Sequence, residues 1–524
     1  MLPLKIHSST LTLKIMKRIF RFLATCFFAI SFITNSFSQQ CSDCRYIAPI
    51  FDSITIQTVH FGSAVKINGD TQQLYMDIYE PYGDTATNRP VVMFAFGGGF
   101  VQGSKNDWYV REVCRHYTKA GYVCAAMDYR VGINYLEIVQ LQHMRIFFRP
   151  MQDYRGAVQY LKWDFAENGN NFRIDTSMIF AGGASAGAIT ALMMQYCDKP
   201  TEIAEMGNIS ALNALGGFYS TSGFHQNYSW SCAATVNVAG ALINANWIEP
   251  NDAPIMSAHG DADQVVPYGY GPLGGGALGN IFDLQGSYVV DSIARSKGVC
   301  SYLYTMEGRD HPSESMGIEY FYSIVYRIML RMQAVRNNQS FCCPLKVDIT
   351  PGDTLYYGTN TLPTELTAVV TNDNGNSSLH WCTMPCQLSS TANSITVIPD
   401  STLKYVAATV SEGGCLSGDL YFIFDSLFMP SAIGSIDELS FSAYPQPASN
   451  FIYVTADLGE HKNKTGAIVL TNVVGQQVYK QTFDVLNTKS QLAIDVRELP
   501  AGNYLLSILL NGLKVGTKRI SVVH

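Results

Sequence analysis

Met178-Ile179-Phe180-Ala181-Gly182-Gly183-Ala184-Ser185-Ala186-Gly187 starts as a strand and ends as the opening of a helix, with one serine at the turn between them. The helix begins at about Ala186 and runs through Ala191-Leu192-Met193-Met194. Gly183 and Gly187 stand two positions before and two after Ser185. A chain that reverses this sharply leaves no room for side chains at those positions. The turn also sets Ser185 at a helix N-terminus, whose exposed amides favour negative charge nearby. Small-residue turns of this spacing are common, so the surroundings decide whether the serine carries chemistry.

Upstream, the buried strand Val91-Val92-Met93-Phe94-Ala95-Phe96 runs into Gly97-Gly98-Gly99-Phe100. An ordinary turn at Ser185 would not require this second glycine run, which lies where a strand-end loop that binds an oxyanion belongs. A phosphate-binding reading of these glycines fails, because no Lys-Ser/Thr follows and the spacing is not G-x-G-x-x-G. From about Ile54 to Met332, short apolar runs alternate with amphipathic stretches, which predicts a mostly parallel sheet with helices on both faces. Leu74 to Tyr79 alternates at period two after the Asn68-Gly69 turn, so an antiparallel hairpin is expected at one sheet edge. Helices are expected over Trp108 to Ala120 and from about Met151 to Glu167, and a strand over Tyr122 to Met127.

A serine is a weak nucleophile at neutral pH, so a base and a carboxylate must follow it in the order Ser, Asp/Glu, His on this strand–turn–helix plan. The histidines after it are His225, His259, His311, His380, His461 and His524. The last three fall in sequence of all-β texture. His311 follows the strand Tyr302-Leu303-Tyr304 and precedes the final helix, where a base is presented at the C-terminal edge of the sheet. The acid lies in His259-Gly260-Asp261-Ala262-Asp263, after the strand Pro254 to Ala258, and Asp261 and Asp263 compete for the role. Asp310 adjoins His311 and reads as solvated or structural.

With these pieces in order, Val59 to Met332 resembles bacterial carboxylesterases of the α/β-hydrolase superfamily, near the hormone-sensitive-lipase-like and feruloyl-esterase-like groups. Asp77-Ile78-Tyr79-Glu80-Pro81, Asp128-Tyr129-Arg130 and Gln152-Asp153-Tyr154-Arg155-Gly156-Ala157 look like further family segments. The resemblance implies Asp263 as the acid of H-G-x-x-D-x-x-V-P, and backbone donors at Gly98, Gly99 and Ala186. It implies hydrolysis through an acyl-enzyme, with no metal and no cofactor. Many relatives carry histidine before the three glycines, whereas this chain has Phe96. Ile133 to Arg149 and Tyr268 to Gly279 are expected to cover the substrate or to be surface segments.

The chain has 524 residues, 47% of them hydrophobic and 15% charged, with a formal charge of -7. That argues for several packed domains and against nucleic acid or an anionic membrane as partner. Lys14, Lys17, Arg18 and Arg21 precede the apolar run Phe22 to Ile33 and the small residues Ser36 and Ser38. This predicts a cleaved export signal over 1–38, with Met16 a candidate start, and no stable membrane span. Of the 13 cysteines, Cys26 lies in that signal. The rest suit disulfides, and the Cys41/Cys44 pair lacks the second pair a zinc site needs.

After about Asn337 the sequence turns to short alternating runs rich in Thr, Ser, Asn and Gly, which is all-β. The stretch from Cys342 to Phe428, with Leu366, Trp381, Tyr405 and Cys415, resembles bacterial immunoglobulin-like modules, which implies a spacer or a carbohydrate-binding role, with the spacer preferred. From Phe441, the segments Tyr444-Pro445-Gln446-Pro447, Val474-Gly475-Gln476 and Leu499-Pro500-Ala501-Gly502-Asn503-Tyr504 resemble the C-terminal sorting domain of the type IX secretion system of Bacteroidetes. That resemblance implies recognition by the secretion machinery and delivery outside the cell or to its surface. The expected organisation is an export signal at 1–38, an α/β-hydrolase domain at 39–340, an immunoglobulin-like β domain at 341–430 and a sorting domain at 438–524. The expected partner is an ester substrate, with polymer-linked feruloyl or acetyl esters and polyesters in view. A peptidase of the same fold and a glycan-binding surface protein with an inactive hydrolase domain are the rivals.

Overall fold

The computed structural model describes residues 44–132, 145–204, 209–273, 283–312, 318–350, 354–357, 363–384, 389–398, 405–425, 441–445, 448–457, 465–472, 477–484, 489–497, 499–510 and 513–523. The export signal expected over 1–38, Cys41, residues 431–437 between the two expected β domains and the segment 474–476 lie outside the described residues. The chain divides into two compact units between Phe424 and Asp425.

The first unit is built on β1 (Ile54–Val65), β2 (Thr71–Pro81), β3 (Arg89–Ala95), β4 (Val123–Met127), β5 (Ile174–Ala184), β6 (Ala234–Val238), β7 (Ile255–Gly260) and β8 (Ser301–Met306). They form one eight-stranded sheet in the order β1-β2-β4-β3-β5-β6-β7-β8. The β1/β2 hairpin and the β2/β4 pair are antiparallel, and the strands from β4 to β8 are parallel. Every residue of β3, β4, β6 and β7 is buried. Strands covered on both faces are mostly apolar, as in β3 and β4, whereas the edge hairpin alternates.

The longer described helices of this unit are α1 (Trp108–Lys119), α2 (Arg145–Glu167), α3 (Ala186–Tyr196), α4 (Ser287–Ser296) and α5 (Ile318–Arg336). The mostly parallel sheet with helices on both faces is the fold class expected from the sequence. One boundary differs: α2 starts at Arg145 rather than Met151, with Pro150 inside it. Proline removes a helical donor, which favours a helix start at that point. The preceding turn persists because Ile146, Phe147 and Phe148 are buried, with Phe147 set edge-on to Phe100 at 5.2 Å.

The β module completes this unit as two antiparallel sheets. Its strands are β9 (Lys346–Thr350), β10 (Thr354–Tyr357), β11 (Thr364–Thr371), β12 (Ser378–Met384), β13 (Ser389–Ser390), β14 (Ser394–Val397), β15 (Tyr405–Glu412) and β16 (Cys415–Asp425). Trp381 is fully buried at its centre and donates its indole N–H to the Ala392 carbonyl at 2.8 Å. The module packs onto the α/β part of this unit. The Tyr405 hydroxyl donates to the Ile47 carbonyl at 2.8 Å, and its ring lies 4.2 Å from that of Tyr326 on α5. Gly418 faces Leu330 so closely that a Cβ there would lie 3.0 Å from its Cδ1.

Among the described residues, the disulfides Cys44–Cys382 and Cys300–Cys342 span the same junction. The first also engages both thiols of the Cys44, His380 and Cys382 cluster, which removes them as metal ligands. It closes a loop of 338 residues, and cross-links over long loops restrict the unfolded chain most. Cys44→Ser with Cys382→Ser is therefore expected to lose roughly 2–5 kcal/mol of stability. Denaturant unfolding of the double variant against wild type under oxidising conditions checks this, and equal midpoints would refute it.

The second unit has its own core. Strands β17 (Phe441–Tyr444), β18 (Phe451–Asp457) and β21 (Lys489–Asp495) form one antiparallel sheet. The other contains β19 (Thr465–Asn472), β20 (Gln477–Asp484), β22 (Gly502–Leu510) and β23 (Leu513–Val522). Ile452, Ile468, Leu470, Ile494, Leu506 and Ile508 fill the space they enclose. Among the described residues, no helix is long and apolar enough to cross a membrane.

Candidate active site

The parallel strands deliver their C-terminal ends to one edge of the sheet. Ser185 follows β5, the Asp263 loop follows β7 and the His311 loop follows β8, with β5, β6, β7 and β8 adjacent and in parallel register. Loops at that edge are where open α/β sheets place their chemistry.

Ser185 sits at φ 54° and ψ −122°, between β5 and the first residue of α3. A non-glycine residue held at positive φ costs of order 1–3 kcal/mol and persists only where the surroundings over-determine it. Here the Ser185 amide donates to the Val238 carbonyl at 2.8 Å, which ties the turn to β6. Gly187 shows why the flanking residue is small: a Cβ there would lie 2.3 Å from the Ala95 carbonyl oxygen. The start of α3 is thus pressed against the end of β3, beside the glycine loop.

That loop is tightly pinned. The Gly98 carbonyl accepts from Val101 and Gln102 at 3.1 and 3.2 Å, and the Phe100 carbonyl accepts from Gly132 at 2.7 Å. Gly98 lies at φ 110°, and a Cβ there would collide with the Gln102 carbonyl at 2.1 Å, so only glycine fits. Among the described residues, no acceptor engages the amides of Gly98, Gly99 or Ala186.

The structure brings Asp263 and His311 together. His311 Nδ1 and Asp263 Oδ2 are 2.6 Å apart, and the Asp263 side chain is fully buried while that of His311 is 15% exposed. The other carboxylate oxygen accepts the amides of Val265 and Val266 at 2.8 and 2.9 Å. Burial opposes ionisation, but the hydrogen bonds from His259, His311 and the backbone outweigh it and hold the Asp263 carboxyl well below the usual carboxylate range. Asp261 points elsewhere and accepts the Gly308 amide at 2.6 Å. Asp310 accepts the amides of Gln264 at 2.9 Å and of His311 at 2.6 Å, joining the Asp263 loop to the His311 loop.

His259 is the residue that sequence reasoning set aside. It is fully buried, and its Nε2 faces both Asp263 Oδ2 and the Val266 carbonyl at 3.1 Å. Two acceptors on one nitrogen require that nitrogen to carry a proton. Its Nδ1 meets Ser287 Oγ at 2.7 Å, and that hydroxyl also receives Asn237 Nδ2 at 2.9 Å. Asp263 is therefore held by a second imidazole that is itself anchored in the core. The only signal in the sequence is the four-residue spacing of His259 and Asp263 after a buried strand.

Arg130 and Asp153 explain two of the other segments. The Arg130 guanidinium pairs with buried Asp153 at 2.8 Å and also bonds Gln152 Oε1, Ser222 Oγ and the Arg149 carbonyl, each at 3.0 Å. This buried network ties the loop after β4 to α2. Of the two stretches expected to cover the substrate, residues 133–144 and 274–279 lie outside the described residues. Tyr268 bonds Thr305 Oγ1 at 2.6 Å, and Tyr270–Pro272 pairs with Asp283–Gly286 in a small separate sheet.

Residues 76–272 match the BD-FAE family model, and residues 442–522 match that of the secretion system C-terminal sorting domain. No curated protein matches the chain at a significant level. Among solved structures the chain is similar to native esterase 2 of the Planctomycetes species Thermogutta terrifontis, at 19% identity and a TM-score of 0.35, covering 51% of this chain and 90% of that one. The same esterase with butyrate bound gives 18% identity and a TM-score of 0.36, over 51% and 91% of the two chains. Phosphorylated by paraoxon it gives 18% and 0.35, over 51% and 92%. The sorting domain marks the chain for secretion or the cell surface through the type IX system. The chain thus carries a BD-FAE domain of the α/β-hydrolase esterase family and is a carboxylic ester hydrolase.

Proposed function

We propose that this esterase works through an acyl-enzyme on Ser185, with His311 as base and Asp263 as its orienting acid. The observation that carries the reading is the short His311 Nδ1–Asp263 Oδ2 hydrogen bond, at the same sheet edge as a serine held at positive φ on a helix start. With Nδ1–H committed to the carboxylate, Nε2 is the ring nitrogen left to take the Ser185 proton. The Ser185 oxygen then attacks the ester carbonyl and forms a bond to its carbon. The negative charge moves to the carbonyl oxygen, where the amides of Gly98, Gly99 and Ala186 receive it. Collapse expels the alcohol, which takes its proton from His311. Water, deprotonated by the same His311, then attacks the acyl-enzyme, and the acid leaves as Ser185 regains its proton.

The substrate we propose is an aromatic or polymer-linked ester met outside the cell, such as feruloylated or acetylated polysaccharide or a polyester. The support for this is the pairing of an esterase domain with an export domain in one chain. The test is covalent labelling of the full chain with a fluorophosphonate, followed by peptide mapping, alongside rates on p-nitrophenyl acetate, methyl ferulate, acetylated xylan and a polyester. The expected adduct lies on Ser185, with turnover of at least one polymeric or aromatic ester. Absence of labelling, with no turnover, would support the inactive glycan-binding reading instead.

A further inference from the structure

Phe96 occupies the position where many resembling esterases carry histidine, and a phenyl ring offers the glycine loop no hydrogen bond. Two tyrosine hydroxyls meet the loop there. Tyr109, in the first turn of α1, accepts the Gly97 amide. Tyr129, just after β4, donates to the Phe96 carbonyl at 2.8 Å. Its ring stacks on Phe96 with centroids 4.0 Å apart and planes 14° from parallel. The Phe96 carbonyl and the Gly97 amide belong to one planar peptide unit. Both ends of a single peptide plane are therefore held, one by each tyrosine.

We infer that Tyr109 and Tyr129 are positioning residues that clamp the 96–97 peptide and thereby aim the oxyanion donors that follow it. The inference rests on the proposed roles of Ser185 and of the Gly98 and Gly99 amides. Three consecutive glycines have wide torsional freedom, so their amides stay directed at one point only if the plane leading into them is fixed. Gly98 and Gly99, at φ 110° and 62°, begin immediately beyond the clamp. The clamp is also at the reacting serine. A Cβ on Gly97 would lie 3.1 Å from Ser185 Cβ and 3.2 Å from the Tyr109 hydroxyl, so nucleophile, loop and hydroxyl converge on one point. Tyr129 is fully enclosed, and its hydroxyl keeps its proton because burial pushes its pKa well above the usual phenol range. It therefore acts as donor to the carbonyl at any working pH.

The test uses the full chain as Tyr109→Phe, Tyr129→Phe and the double variant, each keeping the ring and losing only the hydroxyl. With p-nitrophenyl acetate, kcat is expected to fall on the order of 10- to 100-fold in each single variant, with KM changed by less than about twofold. A trifluoromethyl ketone that forms a tetrahedral adduct should weaken by the same factor as kcat/KM, while a product carboxylate should bind unchanged. Because both hydroxyls hold one peptide plane, the double variant should lose less than the product of the two single losses. Unchanged kcat and ketone affinity in Tyr109→Phe would overturn the inference, as would a fall in thermal stability with no separation of kcat from KM. If Tyr129→Phe does not fold, Tyr109→Phe decides alone. Ser185→Ala run in parallel separates the two levels. If it retains activity, the underlying mechanism fails; if it is inactive while Tyr109→Phe equals wild type, only the clamp fails.

Discussion

Ser185→Ala is expected to lower kcat on a short p-nitrophenyl ester by roughly 10⁵- to 10⁶-fold, leaving only the residual rate that binding and backbone donors provide. The loss should appear in kcat with KM little changed, since the hydroxyl forms its bond to substrate only along the reaction path. Stability should not fall, and could rise. Ser185 stands at φ 54°, a conformation the turn imposes whatever the side chain, and its backbone bond to Val238 survives the substitution. Alanine therefore removes the proposed nucleophile without unmaking the turn that presents it. Thermal unfolding alongside steady-state kinetics would show this. A variant that retained even a tenth of the activity would place the chemistry elsewhere.

The parts of this molecule legible in the sequence are those encoded over a few neighbouring residues. The buried runs at Val91 and Val123 read as interior strands because strands covered on both faces are mostly apolar, and β3 and β4 are buried throughout. The Ser185 turn was legible because a sharp reversal excludes side chains at Gly183 and Gly187. The two loops carrying Asp263 and His311 could be located by strand order alone. Choosing between Asp261 and Asp263 drew on family resemblance, because two residues apart on a loop the side chains diverge in ways no pattern records. The structure puts Asp263 on His311 and Asp261 on the Gly308 amide.

Contacts between distant segments were not legible. His259 supports Asp263 only because β7 lies beside β6 and Ser287 reaches its other nitrogen. Tyr109 and Tyr129 meet the same peptide from a helix and a loop separated by β4. The docking of the β module depends on pairing Cys44 with Cys382 across 338 residues, and nothing local to either cysteine announces its partner. Its consequence reaches the site, because the helix on which the module rests follows the His311 loop. Arg309, two residues before His311, lies 4.2 Å over the ring of Tyr320 on α5, and Tyr326 on that same helix packs on Tyr405. The module thus backs the helix to which the His311 loop is tied.

Asp263→Asn carries the second large expectation, a fall in kcat of roughly 10⁴-fold. The carboxylate accepts from His311 Nδ1 and from His259 Nε2 on one oxygen, and from two backbone amides on the other. An asparagine oxygen that keeps the two amides turns its NH₂ toward both imidazoles. His311 must then present an unprotonated Nδ1 to that group, which moves its proton to Nε2, the nitrogen needed as base. The same substitution has a pH signature of fixed sign. A carboxyl held below its unfolded value contributes stability that is fully present above the ordinary carboxylate range and lost as pH falls toward its depressed folded value. Urea unfolding from neutral to strongly acidic pH should therefore show a flatter acidic limb in Asp263→Asn than in wild type. The ionised carboxylate also persists through mildly acidic pH, so protonation of Asp263 does not set the acidic limb of activity. Asp261→Asn, made beside it, should change kcat by less than about threefold, because the Asp261 carboxylate accepts the Gly308 amide and not His311, so the tautomer of His311 is left untouched. Equal losses in the two variants would exclude Asp263 as the residue that orients the base.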